Sequence, residues 1–133
     1  MATKPEPKRI FVDFDGVIHS YSSGWKGIDV IPDPPVVDPE TGRDAIQWLT
    51  SMLQSGNFVV HIWSRRGVDP RGAGIGAMRV WLQKHGLAPR YLKQIKFEQD
   101  KPDAFLFIDD RCMQFDGTFP DPIAVKKFKP WNR

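Results

Sequence analysis

Acidic side chains follow two short apolar runs of this sequence, and a serine follows a run that lies between them. Asp13 and Asp15 close the first run, Asp109 and Asp110 close a later one, and Ser64 closes the middle one. Residues i and i+2 of a strand point to the same side, so Asp13 and Asp15 can approach one ligand together. One of these carboxylates could attack an electrophile while the other gives or takes a proton.

Four carboxylates in one crevice need a physical explanation, because ionised acids repel one another and raise each other's pKa. The usual remedy is a hard divalent cation with oxygen ligands, such as Mg²⁺. The sequence therefore predicts a magnesium site with four candidate ligands, Asp13, Asp15, Asp109 and Asp110. Lys101 lies eight residues before Asp109 and could keep the first carboxylate ionised, with Lys96 as the alternative.

The elements that must position these residues alternate between strands and helices. Apolar and β-branched stretches predict strands at 9–14, 57–63 and 104–108, a short edge strand at 94–97 and a weaker strand at 123–128. Helical spacing of apolar residues covers 41–54 and 75–85. Such alternation predicts a parallel α/β sheet, whose ligand crevice lies outside the carboxyl ends of the strands.

The chain length of 133 residues suits one domain. Residues 1–8 are polar, contain two prolines and predict a disordered lead-in, which leaves 9–133 as the domain. Residues 16–40 contain four prolines and several glycines, which predicts a long loop or a small β-flap. A loop of that length inside a compact domain usually has a function.

Composition and spacing exclude several classes of function. Cys112 is the only cysteine, which excludes an intrachain disulfide and a cysteine-rich metal site. The sequence has no GxxxxGK phosphate loop, and its three histidines lack the spacing of a zinc site. No apolar run approaches the roughly 20 residues that span a bilayer, and no signal peptide is evident, so we expect a cytoplasmic protein without a membrane partner.

The net charge of +3 has a local origin. After Asp121 come four basic residues with no acid among them, Lys126, Lys127, Lys129 and Arg133, and the rest of the chain has 15 basic against 16 acidic residues. A basic tail of this kind could contact an anionic substrate or a nucleic acid, and a solvated chain end is the alternative.

Four short motifs occur in order along the chain. They are Phe11-Val-Asp-Phe-Asp-Gly-Val17, Ile62-Trp-Ser64, Lys101-Pro102 and Phe107-Ile-Asp-Asp110. In this order they resemble the motifs of the haloacid-dehalogenase-like hydrolases, most of which are phosphatases. The resemblance spans roughly residues 10–128. The chain especially resembles small phage and bacterial members of this family that end in a KPxA...IDDR stretch.

This resemblance implies a role for each motif residue. Asp13 would form a phosphoaspartyl intermediate, and Asp15 would protonate the leaving group and then deprotonate water. Ser64 would hydrogen-bond the transferring phosphoryl group. Lys101 would stabilise the intermediate.

The resemblance also implies the metal ligands and the fold. Mg²⁺ would be bound by the carboxylates of Asp13 and Asp109 and by the backbone carbonyl of Asp15, with Asp110 nearby as a ligand or a neighbour of the ligands. The fold would be a single-domain, Rossmann-like three-layer sandwich whose parallel sheet has about five strands in the order 5-4-1-2-3. The segments on either side of Ser64 are too short for the large cap domain of many relatives, which implies a small flap and an open site.

The predicted function is hydrolysis of a phosphate monoester in a phosphorylated small molecule or nucleotide, with Ser64, Arg65 and His19 binding the substrate. Arg65 and Arg66 could bind a phosphate oxygen, or Arg65 could pair with a nearby acid. These arginines and the basic tail favour one alternative, a phosphatase that processes nucleic-acid ends. The other alternative is a non-catalytic, metal-binding domain of the same fold. The substrate stays open, because many functions share such a fold.

Overall fold

The computed structural model of the chain describes residues 6–99, 104–114 and 116–132. Within these ranges it is an α/β fold with a sheet of four parallel strands in the order β3-β2-β1-β4. The strands are β1 (Lys8–Val12), β2 (Phe58–Trp63), β3 (Lys96–Glu98) and β4 (Leu106–Ile108). The α-helices are α1 (Ala45–Gln54), α2 (Ala73–Lys84), α3 (Pro89–Leu92) and α4 (Pro122–Lys127), and a 3-10 turn spans Arg65–Val68.

The main core lies on one face of the sheet. Alternate residues of a strand point to the same face, and here they meet apolar residues of α1, α2 and α3. This core includes Ile10, Val12, Val60, Ile62, Leu49, Leu53, Met78, Leu82 and Leu92. The connections from β1 to β2 and from β2 to β3 run in the same direction across the sheet. Because connections between parallel strands are right-handed as a rule, helices α1 and α2 are expected on a single face.

Helix α1 begins at a capping box. Asp44 accepts a hydrogen bond from the backbone N–H of Gln47 at 2.8 Å, and the Gln47 side chain accepts one from the N–H of Asp44 at 2.9 Å. The two bonds satisfy two donors that this end of the helix would otherwise leave unpaired. The helix therefore begins at Ala45, four residues after the start that apolar spacing predicts.

The prediction of a strand at residues 123–128 is wrong. Asp121 accepts a hydrogen bond from the N–H of Ala124 at 2.8 Å and Pro122 opens the first turn, so the segment forms α4. In the part of the chain that the structure describes, the sheet therefore has four strands instead of about five. No α4 side chain is buried, so a second helical layer, which a three-layer sandwich requires, stays a prediction.

Residues 13–44 connect β1 to α1 without a helix or strand of their own. Isolated bridges join Asp15 to His19 and His19 to Pro35, which folds the connection back on itself. His19 and Asp33 are buried within it. The connection is therefore anchored by its own polar residues. Among all the described residues, no helix has both the length and the apolar character needed to cross a membrane.

Helix α2 approaches the 3-10 turn at Gly74, where an added Cβ would overlap the carbonyl group of Arg66, whereas the Cβ position of Gly76 has nothing within 4 Å. We expect Gly74→Ala to lower the free energy of unfolding by about 1–3 kcal/mol, because α2 must move away from the turn. The control, Gly76→Ala, should raise it by up to about 1 kcal/mol, because alanine favours a helix. Urea unfolding measures both changes, and equal losses in the two variants would contradict this account of the packing.

Candidate functional site

Three of the predicted acidic residues lie together at the carboxyl ends of β1 and β4. These strands are neighbours, and the N–H of Asp13 donates to the carbonyl of Ile108 at 2.9 Å. Asp13 and Asp109 therefore leave the sheet side by side, and Asp110 follows. Carboxylate oxygens of Asp13, Asp109 and Asp110 all lie within 4.8 Å of one another, and we call these three residues the acidic cluster.

Within the acidic cluster, the pKa of Asp13 is strongly raised. Burial raises the pKa of Asp13 from 3.8 to about 9, together with a hydrogen bond to Asp110 and the negative charges of Asp109 and Asp110. The N–H of Phe14, which donates to Asp13 at 2.9 Å, opposes this rise. A bound divalent cation would offset the repulsion, and carboxylate oxygens are the ligands that Mg²⁺ prefers. The acidic cluster therefore fits Mg²⁺.

The turn after Asp15 packs directly on the acidic cluster. Gly16 has a φ of +87°, and a Cβ there would overlap the carboxylate of Asp110. Glycine satisfies both conditions, because it has no side chain and tolerates a positive φ. The N–H of Gly16 donates to the carbonyl of His19 at 2.8 Å, which closes the turn.

The side chain of Asp15 has partners of its own and is not part of the acidic cluster. Arg66 Nε donates to both of its carboxylate oxygens, at 2.9 and 3.1 Å, and His19 Nδ1 lies 2.9 Å from one of them. β1 ends at Val12, so the alternation of strand residues does not extend to Asp13 and Asp15. That the two carboxylates approach one ligand together stays a prediction. Metal binding by the Asp15 carbonyl stays a prediction.

Arg66 is fully buried and connects Asp15 to the long loop. Its Nη1 atom donates to three backbone carbonyls of that loop, those of Gly27 (2.8 Å), Ile28 (3.0 Å) and Val30 (3.2 Å). Its Nη2 atom is buried without a hydrogen-bond partner among the described residues. The guanidinium carbon also lies 4.8 Å from the centre of the Trp25 ring. One side chain thus fixes both the acid and the loop beside it.

His19 orients the other side of the Asp15 carboxylate. Its Nε2 atom accepts a hydrogen bond from the N–H of Asp33 at 3.1 Å, so Nδ1 carries the hydrogen that is donated to Asp15. Asp33 is itself bonded by Ser23, and its carbonyl accepts from the Trp81 indole at 3.0 Å. His19 is 0% exposed. This placement gives His19 a positioning role and does not support the prediction that it contacts a substrate.

Comparisons with family models, with curated proteins and with solved structures find no match for this chain. The resemblance to haloacid-dehalogenase-like hydrolases therefore rests on the four sequence motifs and stays a hypothesis.

Two further predicted residues follow β2. Ser64 is 2% exposed, and its Oγ accepts a hydrogen bond from the N–H of Arg66 at 3.1 Å, which caps the 3-10 turn. A hydroxyl that accepts one bond still has a hydrogen of its own to donate. Arg65 is exposed, and its guanidinium carbon lies 4.8 Å from the centre of the Trp25 ring. Both residues stay predicted contacts of the substrate.

Of the two candidate lysines, only Lys96 is among the residues that the structure describes. Lys101 lies outside the described residues. Lys96 is exposed at the start of β3, where it pairs in register with His61. Because β2 separates β3 from β1, Lys96 lies away from the strand ends that carry the acidic cluster.

Arg66 and Asp33 have roles that the sequence analysis misses. From the sequence, Arg65 and Arg66 are both candidate phosphate ligands and Arg65 is the one expected to pair with an acid, whereas in the structure Arg66 pairs with Asp15. The position of Arg66 just after a buried strand is a signal that it lies at the crevice. Asp33 stands in a proline-rich stretch 14 residues from its partner His19, and no spacing rule connects the two.

Arg66→Ala should lower the free energy of unfolding by roughly 3 kcal/mol or more, because it leaves Asp15 and three loop carbonyls without their shared donor. The adjacent and exposed Arg65 provides the control. Arg65→Ala removes one contact with Trp25 and should cost less than about 1 kcal/mol. Urea unfolding without Mg²⁺ measures both values, and similar losses would show that Arg66 does not hold this part of the fold together.

Proposed function

We propose that this chain is a Mg²⁺-dependent phosphate monoester hydrolase of the haloacid-dehalogenase-like type, in which Asp13 is the nucleophile. The convergence of Asp13, Asp109 and Asp110 within 4.8 Å is the observation that supports this proposal most. Such a cluster offers oxygen ligands to a hard cation beside a carboxylate that we propose to attack phosphorus, and the proposed phosphoryl transfer uses both. Asp15 lies two residues further on, and its carboxylate is held by Arg66 and His19.

The proposed metal ligands are the members of the acidic cluster, Asp13, Asp109 and Asp110. When bound, Mg²⁺ supplies positive charge that offsets the carboxylates and the phosphoryl oxygens of the substrate. The protein orients Asp13 through the N–H of Phe14, which bonds to one carboxylate oxygen. Ser64 ends β2, the strand next to β1, and we assign it to the phosphoryl group of the substrate, as the motif resemblance implies. Lys101 is assigned to the intermediate on the same ground.

Two chemical steps complete the proposed reaction. In the first, a carboxylate oxygen of Asp13 bonds to phosphorus and the bond between phosphorus and the ester oxygen breaks, while Asp15, which enters this step protonated, gives its proton to that oxygen. In the second, Asp15 takes a proton from water, whose oxygen bonds to phosphorus and displaces Asp13. Both residues then return to their starting states with phosphate released. Arg66 and His19 keep the Asp15 carboxylate in place between the steps.

Asp13→Asn should reduce Mg²⁺-dependent phosphate release from p-nitrophenyl phosphate by about a thousandfold or more, because an amide is a poor nucleophile. Glu40→Gln removes one negative charge from an exposed residue and should leave the rate unchanged. The measurement is the initial rate of both purified variants and the wild-type protein, with and without EDTA. Full turnover by Asp13→Asn would overturn the assignment of the nucleophile. Inactive wild-type protein would instead favour the non-catalytic alternative.

Mg²⁺ should raise the melting temperature of the protein, because a ligand that binds only the folded state stabilises it by about 2.7 kcal/mol at one hundred times its Kd. Asp109→Asn should remove most of this rise, since it takes one charged oxygen from the acidic cluster. Calorimetric scans with MgCl₂, compared with NaCl at equal ionic strength, measure the effect. An equal rise in both salts would show that no Mg²⁺ binds there.

A further inference from the structure

The C-terminal end of the described chain contacts the turn beside the acidic cluster. The Trp131 indole N–H donates to the carbonyl of Gly16 at 2.7 Å, and the Asn132 side-chain amide donates to the carbonyl of Ser20 at 3.3 Å. The Trp131 side chain nevertheless remains open to solvent, because the residue is 64% exposed. The two bonds therefore fix one edge of the indole and leave most of its surface available.

This contact places the indole close to the acidic cluster. The Cβ position of Gly16 is 2.9 Å from Cγ of Asp110. The carbonyl oxygen of Gly16, which accepts the indole hydrogen bond, is about 3 Å from the same position by backbone geometry. Trp131 Nε1 therefore lies within roughly 9 Å of the Asp110 carboxylate. An exposed aromatic surface thus flanks the site at which a phosphate ester would react.

Positive charges precede this tryptophan along the chain. Residues 126–132, which we call the C-terminal segment, include three exposed lysines, Lys126, Lys127 and Lys129. None of these lysines forms an ion pair with a described residue. The nearest acid in sequence, Asp121, caps the far end of α4. The C-terminal segment therefore combines an aromatic surface with cations that are available to an anionic ligand.

We propose that the C-terminal segment binds single-stranded nucleic acid whose terminal phosphate is the group that the acidic cluster hydrolyses. A base next to the terminal phosphate would stack on Trp131, and phosphates further along the strand would be neutralised by Lys126, Lys127 and Lys129. Exposed aromatic rings beside a basic groove are how proteins hold single strands without reading their sequence. A small metabolite with one phosphate has no further phosphate groups for these three lysines to neutralise. The inference rests on the proposed function, which it extends to a substrate class.

The test measures binding apart from turnover, in the full-length Asp13→Asn protein with Mg²⁺. The probe is a fluorescent thymidine strand of about six nucleotides with a phosphate at its 5′ or 3′ end. Fluorescence anisotropy of the strand measures its binding. Trp131→Ala should weaken binding about tenfold or more through lost stacking. Trp131→Phe keeps an aromatic ring and should retain most of the affinity, which separates stacking from the hydrogen bond to Gly16.

The lysines are tested through the salt dependence of binding. Changing Lys126, Lys127 and Lys129 together to Gln should reduce the slope of log Kd against log salt by about 2, because about 0.7 counterion is released for each phosphate contact on a single strand. The matched control changes three exposed lysines elsewhere, Lys8, Lys84 and Lys93, and should leave the slope unaltered.

Two results would overturn the inference. One is equal affinity of the Trp131→Ala and parent proteins together with an unchanged salt slope. The other is a phosphorylated mononucleoside that binds as tightly as the strand, since the lysines would then have no partner. Failure of the proposed function gives a different result, namely wild-type protein that releases no phosphate from any ester.

Discussion

A buried guanidinium joins three parts of the chain that are distant in sequence. Arg66 follows β2, pairs with Asp15 after β1 and donates to three carbonyls of the long loop, those of Gly27, Ile28 and Val30. A buried charge is costly unless its partners surround it, so these segments must be in place together. The 3-10 turn that contains Arg66 also limits how closely helix α2 can pack. The helix contacts the Arg66 carbonyl at Gly74, where there is no side chain to clash with it. The position of Asp15 and the path of the long loop thus both depend on the buried charge of Arg66.

The end of β1 separates two aspartates that are only two residues apart. Asp13 still follows the strand direction and meets Asp109 across the ladder to β4. Asp15 lies beyond a bend at Phe14 and is held among hydrogen-bond donors. One carboxylate therefore lies among negative charges and needs a cation, whereas the other is already neutralised by Arg66 and oriented by His19. This difference in surroundings distinguishes the carboxylate that we propose as the nucleophile from the one that we propose to transfer protons.

Much of the sheet and of the acidic cluster could be predicted from sequence, because both depend on local pattern. Apolar runs indicate the four strands, and acids at the ends of adjacent parallel strands must meet. The run at 123–128 has the same apolar character, but Asp121 and Pro122 start a helix there, and side-chain capping decided the outcome. The partnership of Arg66 with Asp15 spans 51 residues, and that of His19 with Asp33 depends on how the loop folds back. Such contacts follow from tertiary packing and have no short-range signal.

The parallel sheet also separates the two ends of the described chain. Lys8 begins β1 at the amino ends of the parallel strands, opposite the carboxyl ends from which Asp13 and Asp109 emerge. Trp131 instead contacts the turn beside those carboxyl ends. A fluorophore, affinity handle or solid support joined ahead of β1 would leave the crevice facing away from the attachment. The same handle joined after Trp131 would lie at the entrance to the crevice. An attachment just after Trp131 would therefore perturb the crevice sterically, whereas an attachment ahead of β1 would not.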